Sequence, residues 1–229
     1  MGLKYHDGTK FREVAPVEIT YAANGVGARS ATKIDIRDVP NPSVGIAPSA
    51  FEGFASLTKV RLPEDLTGGI GTLAFSGCIK LSDLVLPAGM TGSVGTFAFN
   101  ACKALVTLAL PSGLTGPIPN NMLSTCTALQ SVTLSTGFSG AIGAAAFSEC
   151  SSLTTLSIPA GVTGSVGANA FSRCTSLTSL TLNSPTLMPL ANVNAFTNCP
   201  ANIYVPAGLV SAYKAATNWS TLAARIFAI

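Results

Sequence analysis

A 24-residue repeat constrains this chain more than any other feature of its sequence. Copies of the pattern Phe-x-x-Cys-x-x-Leu-x-x-Leu-x-Leu begin at Phe51, Phe75, Phe99, Leu123, Phe147, Phe171 and Phe196. The first copy has Phe54 in the cysteine position, and the last copy is shortened. Since one unit of this length cannot bury its apolar side alone, successive units must stack against each other. The repeat therefore predicts one elongated repeat solenoid instead of one or two globular domains.

Each unit is predicted to contain a short strand, a second extended segment and a tight helical turn. The strand of one unit is Leu84–Leu86, in which two side chains point inward and one points outward. Pro87 closes that strand, because proline cannot donate to a β-ladder. Thr91–Gly95 is predicted to be a turn followed by the second extended segment, and Ala-Phe-x-x-Cys returns the chain to the next strand. The equivalent strands are Val60–Leu62, Leu108–Leu110, Val132–Leu134, Leu156–Ile158 and Leu180–Leu182. Parallel strands stacked in this way make the predicted fold mainly β.

The six cysteines follow the repeat and are predicted to be buried thiols. Cys78, Cys102, Cys126, Cys150 and Cys174 are each 24 residues apart, and Cys199 follows after 25. Because the first unit has a phenylalanine in this position, we interpret the position as apolar rather than cross-linked. Disulfides stay geometrically possible between neighbouring coils, which would stack about 4.8 Å apart. The spacing lacks the paired CxxC pattern of zinc sites, and no metal or other cofactor is predicted.

Residues 1–32 lie outside the repeat and are predicted to form a polar hairpin that caps one end of the solenoid. Asp7-Gly8 separates two alternating runs, which is a good hairpin signal. Val17–Tyr21 is predicted to be a further strand and Asn24–Gly27 a turn. Met1 is not followed by a basic run and an apolar stretch, so no signal peptide is predicted in the chain.

The solenoid itself is predicted over residues 33–206, beginning with an incomplete coil whose strand is Ile34–Ile36. Over residues 207–229 the apolar spacing changes to that of a helix, which predicts one or two helices from Leu209 to Phe227. The apolar side of this helical cap would cover the last coil, with the single tryptophan, Trp219, packed against it.

Charge is scarce in this chain, which argues against two classes of partner. Only 10% of the residues are charged, compared with about 25% in typical globular chains. The net charge of +3 comes from scattered basic residues that could not neutralise a run of phosphates, so no nucleic acid partner is predicted. The sequence has no run of about 18 apolar residues, so no membrane insertion is predicted.

The sequence does not predict an enzyme. His6 is the only histidine, and we interpret it as a solvated residue at the tip of the hairpin. Glu149 is the only acidic residue after Asp83, so a pair of catalytic carboxylates is not expected. The glycine-rich turns, such as Gly92–Gly95, lack the lysine and the strand-to-helix context of a phosphate-binding loop. No catalytic residue is therefore assigned.

The outward positions of the predicted strands are the candidate binding surface. They would form one ribbon along the solenoid, charged at one end and rich in hydroxyl groups at the other. A regular row of hydroxyls can hydrogen-bond a peptide or a glycan, although Ser and Thr on a strand face also serve simply to solvate it. The candidate residues are Arg61, Val85, Thr107, Thr133, Thr155, Ser157, Thr178 and Thr181.

This repeat, with Ile/Val-Gly and Ala-Phe leading into each next copy, resembles the BspA-type leucine-rich repeat family. The segment Ile203–Pro206, followed by Tyr213 and Trp219, is similar to the tail that often closes such arrays. The resemblance covers about Ile34 to Ile229. It implies a right-handed solenoid, a bacterial protein that is secreted or at the cell surface, and adhesion to proteins of a host or a neighbouring cell. It supplies no catalytic residues. Repeats of this family often carry lysine on the strand face, whereas this chain has almost no charge after Lys103.

These features favour a non-enzymatic adhesion module, a monomer or weak oligomer, that recognises a cell-surface protein or glycan through its strand face. The alternative is a structural spacer, or a part of a larger surface or virion fibre assembly. An ice-binding face is a third and weaker hypothesis, because the outward row is irregular at Arg61, Val85 and Ala109.

Substitutions in the predicted core separate apolar stacking from cross-linking. Leu108→Asp is expected to abolish folding, because a carboxylate buried in an apolar stack has no partner. Cys126→Ala should cost at most a few kcal/mol. Circular dichroism and urea unfolding measure both effects, and loss of structure in the unmodified protein on adding a reducing agent would contradict the buried-thiol interpretation.

Overall fold

The computed structural model describes residues 3–6, 11–14, 31–35 and 45–229, and these form a stack of coils joined by short parallel strands. The strands are β1 (Leu3–His6), β2 (Phe11–Val14), β3 (Lys33–Asp35), β4 (Lys59–Arg61), β5 (Asp83–Leu84), β6 (Gly92–Ser93), β7 (Thr107–Ala109), β8 (Leu114–Ile118), β9 (Ser131–Thr133), β10 (Phe138–Ile142), β11 (Thr155–Ile158), β12 (Ser179–Leu182), β13 (Asn202–Val205) and β14 (Ile226–Ala228). The turn predicted at Asp7-Gly8, the strand at Val17–Tyr21 and the turn at Asn24–Gly27 lie outside the described residues.

The first of three ladders along the stack joins the strands predicted from the leucine pattern. Its sheets have the orders β2-β1-β3-β4-β5, β7-β9 and β11-β12-β13-β14. The solenoid strands are parallel and pair one repeat apart, for example Val60 with Leu84 and Leu108 with Val132. Each strand begins one residue before its predicted start, and the alternation of inward and outward side chains is as predicted.

The two predicted hairpin strands continue this first ladder at its N-terminal end. β1 and β2 are antiparallel, with Leu3 opposite Val14 and His6 opposite Phe11. β1 also pairs antiparallel with β3 at Ile34, and β3 pairs parallel with β4. The hairpin is therefore hydrogen-bonded to the edge of the first coil.

The second ladder corresponds to the predicted second extended segment of each unit. β6, β8 and β10 pair in parallel in the order β10-β8-β6. Isolated bridges extend the same line on both sides, from Ile46 to Ile70 and Val94, and from Ile142 to Val166 and Leu190.

The third ladder runs through the segments around Ala-Phe-x-x-Cys, which we call the turn segments. In the described chain these segments are hydrogen-bonded turns, except the last, which contains the 3-10 helix Val193–Phe196. Two residues of each turn segment up to Arg173 have a positive φ, for example Leu73 at 60° and Thr125 at 62°. From Ser49 to Glu149 each such N–H donates to a carbonyl of the next coil, for example Leu73 to Thr96 at 2.9 Å and Thr125 to Ser148 at 2.7 Å. The left-handed backbone thus turns amides along the stack, and the hydrogen bonds between coils offset its conformational cost.

The core between the ladders consists of rows of identical side chains. Successive phenyl rings stack with centroids 4.9 Å apart for Phe51 and Phe75 and 5.4 Å apart for Phe75 and Phe99. The row resumes with Phe147 and Phe171 after Leu123, which is fully buried in place of a phenylalanine. The repeat positions of the leucine and valine rows are buried as well, except Val132, which is partly buried against the core. Burial therefore lies between units, as the repeat predicts.

The six cysteines are free and buried, which confirms the buried-thiol interpretation. Each of the first five thiols donates a hydrogen bond to a carbonyl of the preceding coil, for example Cys78 to Phe51 at 3.0 Å and Cys126 to Phe99 at 3.1 Å. Burial raises the pKa of Cys78, Cys126 and Cys174 to about 12, against a smaller opposing effect of backbone hydrogen bonds. Since the thiolate is the reactive form, these side chains are inert at neutral pH.

The C-terminal segment covers the last coil with short helices and continues the first ladder. It contains 3-10 helices at Ala207–Leu209 and Trp219–Arg225 and an α-helix, α1, at Val210–Ala215. Among the described residues no helix is long and apolar enough to cross a membrane. Trp219 is fully buried, packs against Phe196 with ring centroids 5.8 Å apart and ring planes at 50°, and donates its indole N–H to the carbonyl of Met188. The tryptophan therefore extends the phenyl row, as the packing role predicted.

The prediction that helix extends to Phe227 is wrong at its end. Ile226–Ala228 forms strand β14, which pairs in parallel with β13 through Ile203 and Ile226. The spacing of Leu222 and Ile226 fits a helix, but Ile226 lies in register with the buried Ile203. Pairing with the last coil therefore outweighs the local helical pattern, and it brings Phe227 onto the outward side of the sheet.

Glycines after the second ladder are expected to be essential because the next coil approaches closely. A Cβ on Gly95 would overlap the backbone nitrogen of Thr72. Gly95→Ala should lower the free energy of unfolding by about 3 kcal/mol or more. Gly208→Ala is the matched control, since nothing lies within 4 Å of its added methyl group. Urea unfolding measures both variants, and equal stability of the two would contradict the close packing.

The buried thiols are expected to make the fold sensitive to alkaline pH. Their pKa is raised in the folded state, so their contribution is complete below about pH 8.5 and is lost as the pH rises towards 12. Above about pH 9 each thiol should lower the free energy of unfolding by about 1.4 kcal/mol per pH unit. Urea unfolding between pH 8 and pH 11 in a reducing agent measures the slope. Cys126→Ala should reduce this slope by the contribution of one thiol, about 1.4 kcal/mol per pH unit. An unchanged slope would contradict this account.

Candidate binding surface

The outward side chains of the first ladder form two parallel rows, which we call the strand face. The first row follows the register pairs of strand starts, and the second row lies two residues further along each strand. The first row contains Lys33, Lys59, Asp83, Thr107, Ser131, Thr155, Ser179 and Asn202. The second row contains Asp35, Arg61, Val85, Ala109, Thr133, Ser157, Thr181, Tyr204 and Phe227. Each step of a row corresponds to one coil, about 4.8 Å.

The predicted binding residues all lie on this face or directly beside it. Arg61 and Thr181 are half-buried, and the others are exposed: Val85, Thr107, Thr133, Thr155, Ser157 and Thr178. Thr178 precedes β12, and its hydroxyl donates to the carbonyl of Thr154 at 3.1 Å. That residue is thus partly engaged in joining two coils, and the binding role of the whole set stays a prediction.

The N-terminal part of the strand face carries an ion-pair network. Asp83 accepts from Lys59 at 2.7 Å and from both terminal nitrogens of Arg61, at 3.0 and 3.3 Å. The hydrogen bond from Lys59, with the charge of Arg61, holds the pKa of Asp83 below its usual range. The network joins the side chains of two neighbouring coils. Because its charged groups are partly exposed to solvent, it contributes little to stability.

The middle of the strand face presents hydroxyl groups with free hydrogen-bonding capacity. The hydroxyls of Thr133, Thr155 and Thr181 make no hydrogen bond to another described residue. Ser157 accepts from the amide of Asn183 at 2.9 Å, so its own hydroxyl proton is available to a ligand. From Thr107 to Tyr204 the two rows contain no charged side chain.

The C-terminal end of the strand face is aromatic, which the sequence analysis missed. Tyr204 and Phe227 occupy successive places in the second row, with ring centroids 5.9 Å apart and ring planes at 35°. Phe227 is 42% exposed, and Tyr204 is half-buried. Because Tyr204 alternates with the apolar Ile203 and Val205, the sequence alone could have placed it on the strand face. Phe227 could be placed only once its pairing with β13 was known.

The described residues offer no arrangement suited to metal binding or to nucleophilic catalysis by a thiol. No group of three or more His, Cys, Asp or Glu side chains in the described part is placed to hold a metal ion. Glu149 and Arg173 lie in the turn segments and form an exposed ion pair with a distance of 3.3 Å. The cysteines are buried in the core with raised pKa values, so they cannot act as nucleophiles at neutral pH.

The sequence matches the BspA type leucine rich repeat region in six copies, over residues 44–163 and 140–220. None of the curated proteins matches it. A leucine rich repeat protein of Treponema pallidum has a similar structure, with a TM-score of 0.64 and 28% identity, over 74% of this chain and 77% of that one.

Two longer structures are similar over most of this chain. A leucine-rich repeat protein of Bacteroides ovatus has a TM-score of 0.58 at 22% identity, and a leucine rich cell surface protein of Faecalibacterium prausnitzii has a TM-score of 0.61 at 23% identity. In both cases the similarity covers 90% of this chain and 62% of the other. The chain therefore spans about three fifths of the length of these two proteins, and at these identities the likeness shows the fold.

Proposed function

The chain belongs to the BspA type leucine rich repeat family, and we propose that it is a non-enzymatic adhesion module at a bacterial cell surface. Its ligand is a protein or a glycan of another cell or of the surrounding matrix. The strand face recognises this ligand, and the solenoid provides a rigid support.

The free hydroxyls on the strand face are the observation that carries this proposal. Thr133, Thr155 and Thr181 are fixed on strands of successive or nearby coils, and their hydroxyls have no partner among the described residues. Their spacing is set by the backbone ladders, so little conformational freedom is lost when they bind an extended ligand. If every hydroxyl on the strand face were hydrogen-bonded within the solenoid, the face would not support this proposal.

A location outside the cell is supported by one of the proteins with a similar structure. The similar protein of Faecalibacterium prausnitzii is described as a cell surface protein. Low charge and free thiols buried within the stack, where oxidants have little access, are compatible with such a location.

A structural spacer is the second candidate, and one observation favours it. The three ladders join successive coils from Ile46 to Val205, so the described solenoid is continuous along its length. A continuous rod of this kind could project another domain without binding anything through its strand face.

The two candidates differ in the effect of a bulky charge on the strand face. We expect the purified chain to bind saturably to an array of immobilised matrix proteins and cell-surface glycans. Thr155→Arg combined with Thr178→Arg should weaken that binding at least about tenfold, because the guanidinium groups block the hydroxyl row. Both residues are exposed, so the fold should be retained, as circular dichroism can check.

Thr163→Arg is the matched control. It changes an exposed threonine of the same coil as Thr155 that lies next to the second ladder, away from the strand face. Binding that is absent, or that is equally strong in the double variant, would favour the spacer and exclude recognition through the strand face.

A further inference from the structure

We propose that the C-terminal end of the strand face is a subsite for a neutral glycan. This inference rests on the proposed function and names the class of its ligand. One sugar ring of an oligosaccharide stacks on the aromatic pair of Tyr204 and Phe227, and hydroxyl groups of its next rings bond to Thr181 and Ser157.

The aromatic pair has the position that such a subsite requires. Phe227 lies next to Tyr204 in the second row, and β14 is the last strand of its sheet in the described chain. In the described structure one side of the Phe227 ring has no coil beside it, in agreement with its 42% exposure. Tyr204 supports the ring from the other side, with centroids 5.9 Å apart. The negative face of an aromatic ring attracts the polarised C–H groups on the apolar face of a sugar ring.

The neighbouring residues supply hydrogen bonds at regular spacing. Ser157, Thr181 and Tyr204 are in direct register on β11, β12 and β13. The Thr181 hydroxyl has no partner among the described residues, and Asn183 orients Ser157 by donating to its oxygen at 2.9 Å. Hydroxyl groups that both donate and accept suit the hydroxyl rim of a sugar. Stacking and hydrogen bonding therefore lie along one line, as an extended oligosaccharide would need.

The absence of charge selects a neutral ligand. The rows from Thr107 to Tyr204 contain no ionisable side chain except the Tyr204 phenol. Arg225 lies outside these rows, at the end of the 3-10 helix Trp219–Arg225, and its guanidinium donates to the carbonyl of Cys199 at 2.5 Å. Within these rows an acidic polysaccharide or a charged peptide would find no complementary charge. An uncharged glycan loses nothing by that absence, so it is the occupant that the surface fits.

Affinity electrophoresis of the full chain tests this inference. The gels contain galactomannan, xyloglucan or dextran as neutral probes and polygalacturonate as an anionic probe. We expect at least one neutral polysaccharide to retard the protein, with little change when the salt concentration is raised, because no ion pair is involved. Polygalacturonate should not retard it.

Variants of Phe227 test the role of the ring. Phe227→Leu keeps an apolar side chain but removes the aromatic face, and it should weaken retardation about tenfold. Phe227→Trp keeps a stacking surface and should bind as well as the unmodified chain. Phe97→Leu is the matched control, because Phe97 is 37% exposed and lies in a turn segment away from the strand face. Thermal unfolding confirms that each variant is folded.

The outcomes separate this subsite from the proposed function. No retardation by any neutral polysaccharide, or equal retardation of Phe227→Leu and the unmodified chain, overturns the subsite. A protein ligand that is lost in the Thr155 and Thr178 double variant, without any binding of neutral glycan, overturns the subsite and leaves the adhesion module standing. Failure of every probe, protein or glycan, overturns both.

Discussion

The hydrogen bonds that the turn segments donate from one coil to the next hold this structure in register. They arise at left-handed residues such as Leu73, Ala101 and Thr125, whose amides point along the stack. The first ladder is interrupted between β5 and β7 and between β9 and β11, whereas the turn bonds recur at every coil from Phe51 to Phe171. Phenyl, thiol and leucine rows are buried only because this spacing is kept. The strand face then inherits its regular spacing from the same bonds.

The sequence was sufficient to predict the rows of buried side chains and the outward rows, because both follow from a fixed period and the alternation of a strand. It did not reveal the left-handed turns. Their positions hold Ser, Leu, Phe, Ala, Asn, Thr, Glu and Arg as well as Gly, so no glycine signature marks them, and the amides that bond to the next coil reach residues 23 or 24 positions away. Strand β14 was missed for a related reason: its helical spacing is local, whereas its partner Ile203 lies 23 residues earlier.

The strand face changes in chemistry along its length while its geometry stays constant. At one end Lys59 and Arg61 both form ion pairs with Asp83. Uncharged hydroxyls follow, and the rows finish at Tyr204 and Phe227. A repeat scaffold allows such variation because the buried side chains, the close glycine contacts and the hydrogen bonds between coils determine folding, so that the outward positions can be adapted to a ligand at little cost in stability. The binding and glycan proposals both depend on this separation of inward and outward roles.

Native-state hydrogen exchange of the turn amides tests most directly whether bonds between coils hold the fold together. The account predicts that the amides of Ala101, Thr125 and Glu149 exchange only when the whole solenoid unfolds, with a free energy equal to that from urea unfolding. Exchange of these amides through small local openings, while the buried strand amide of Leu108 stays protected, would contradict it.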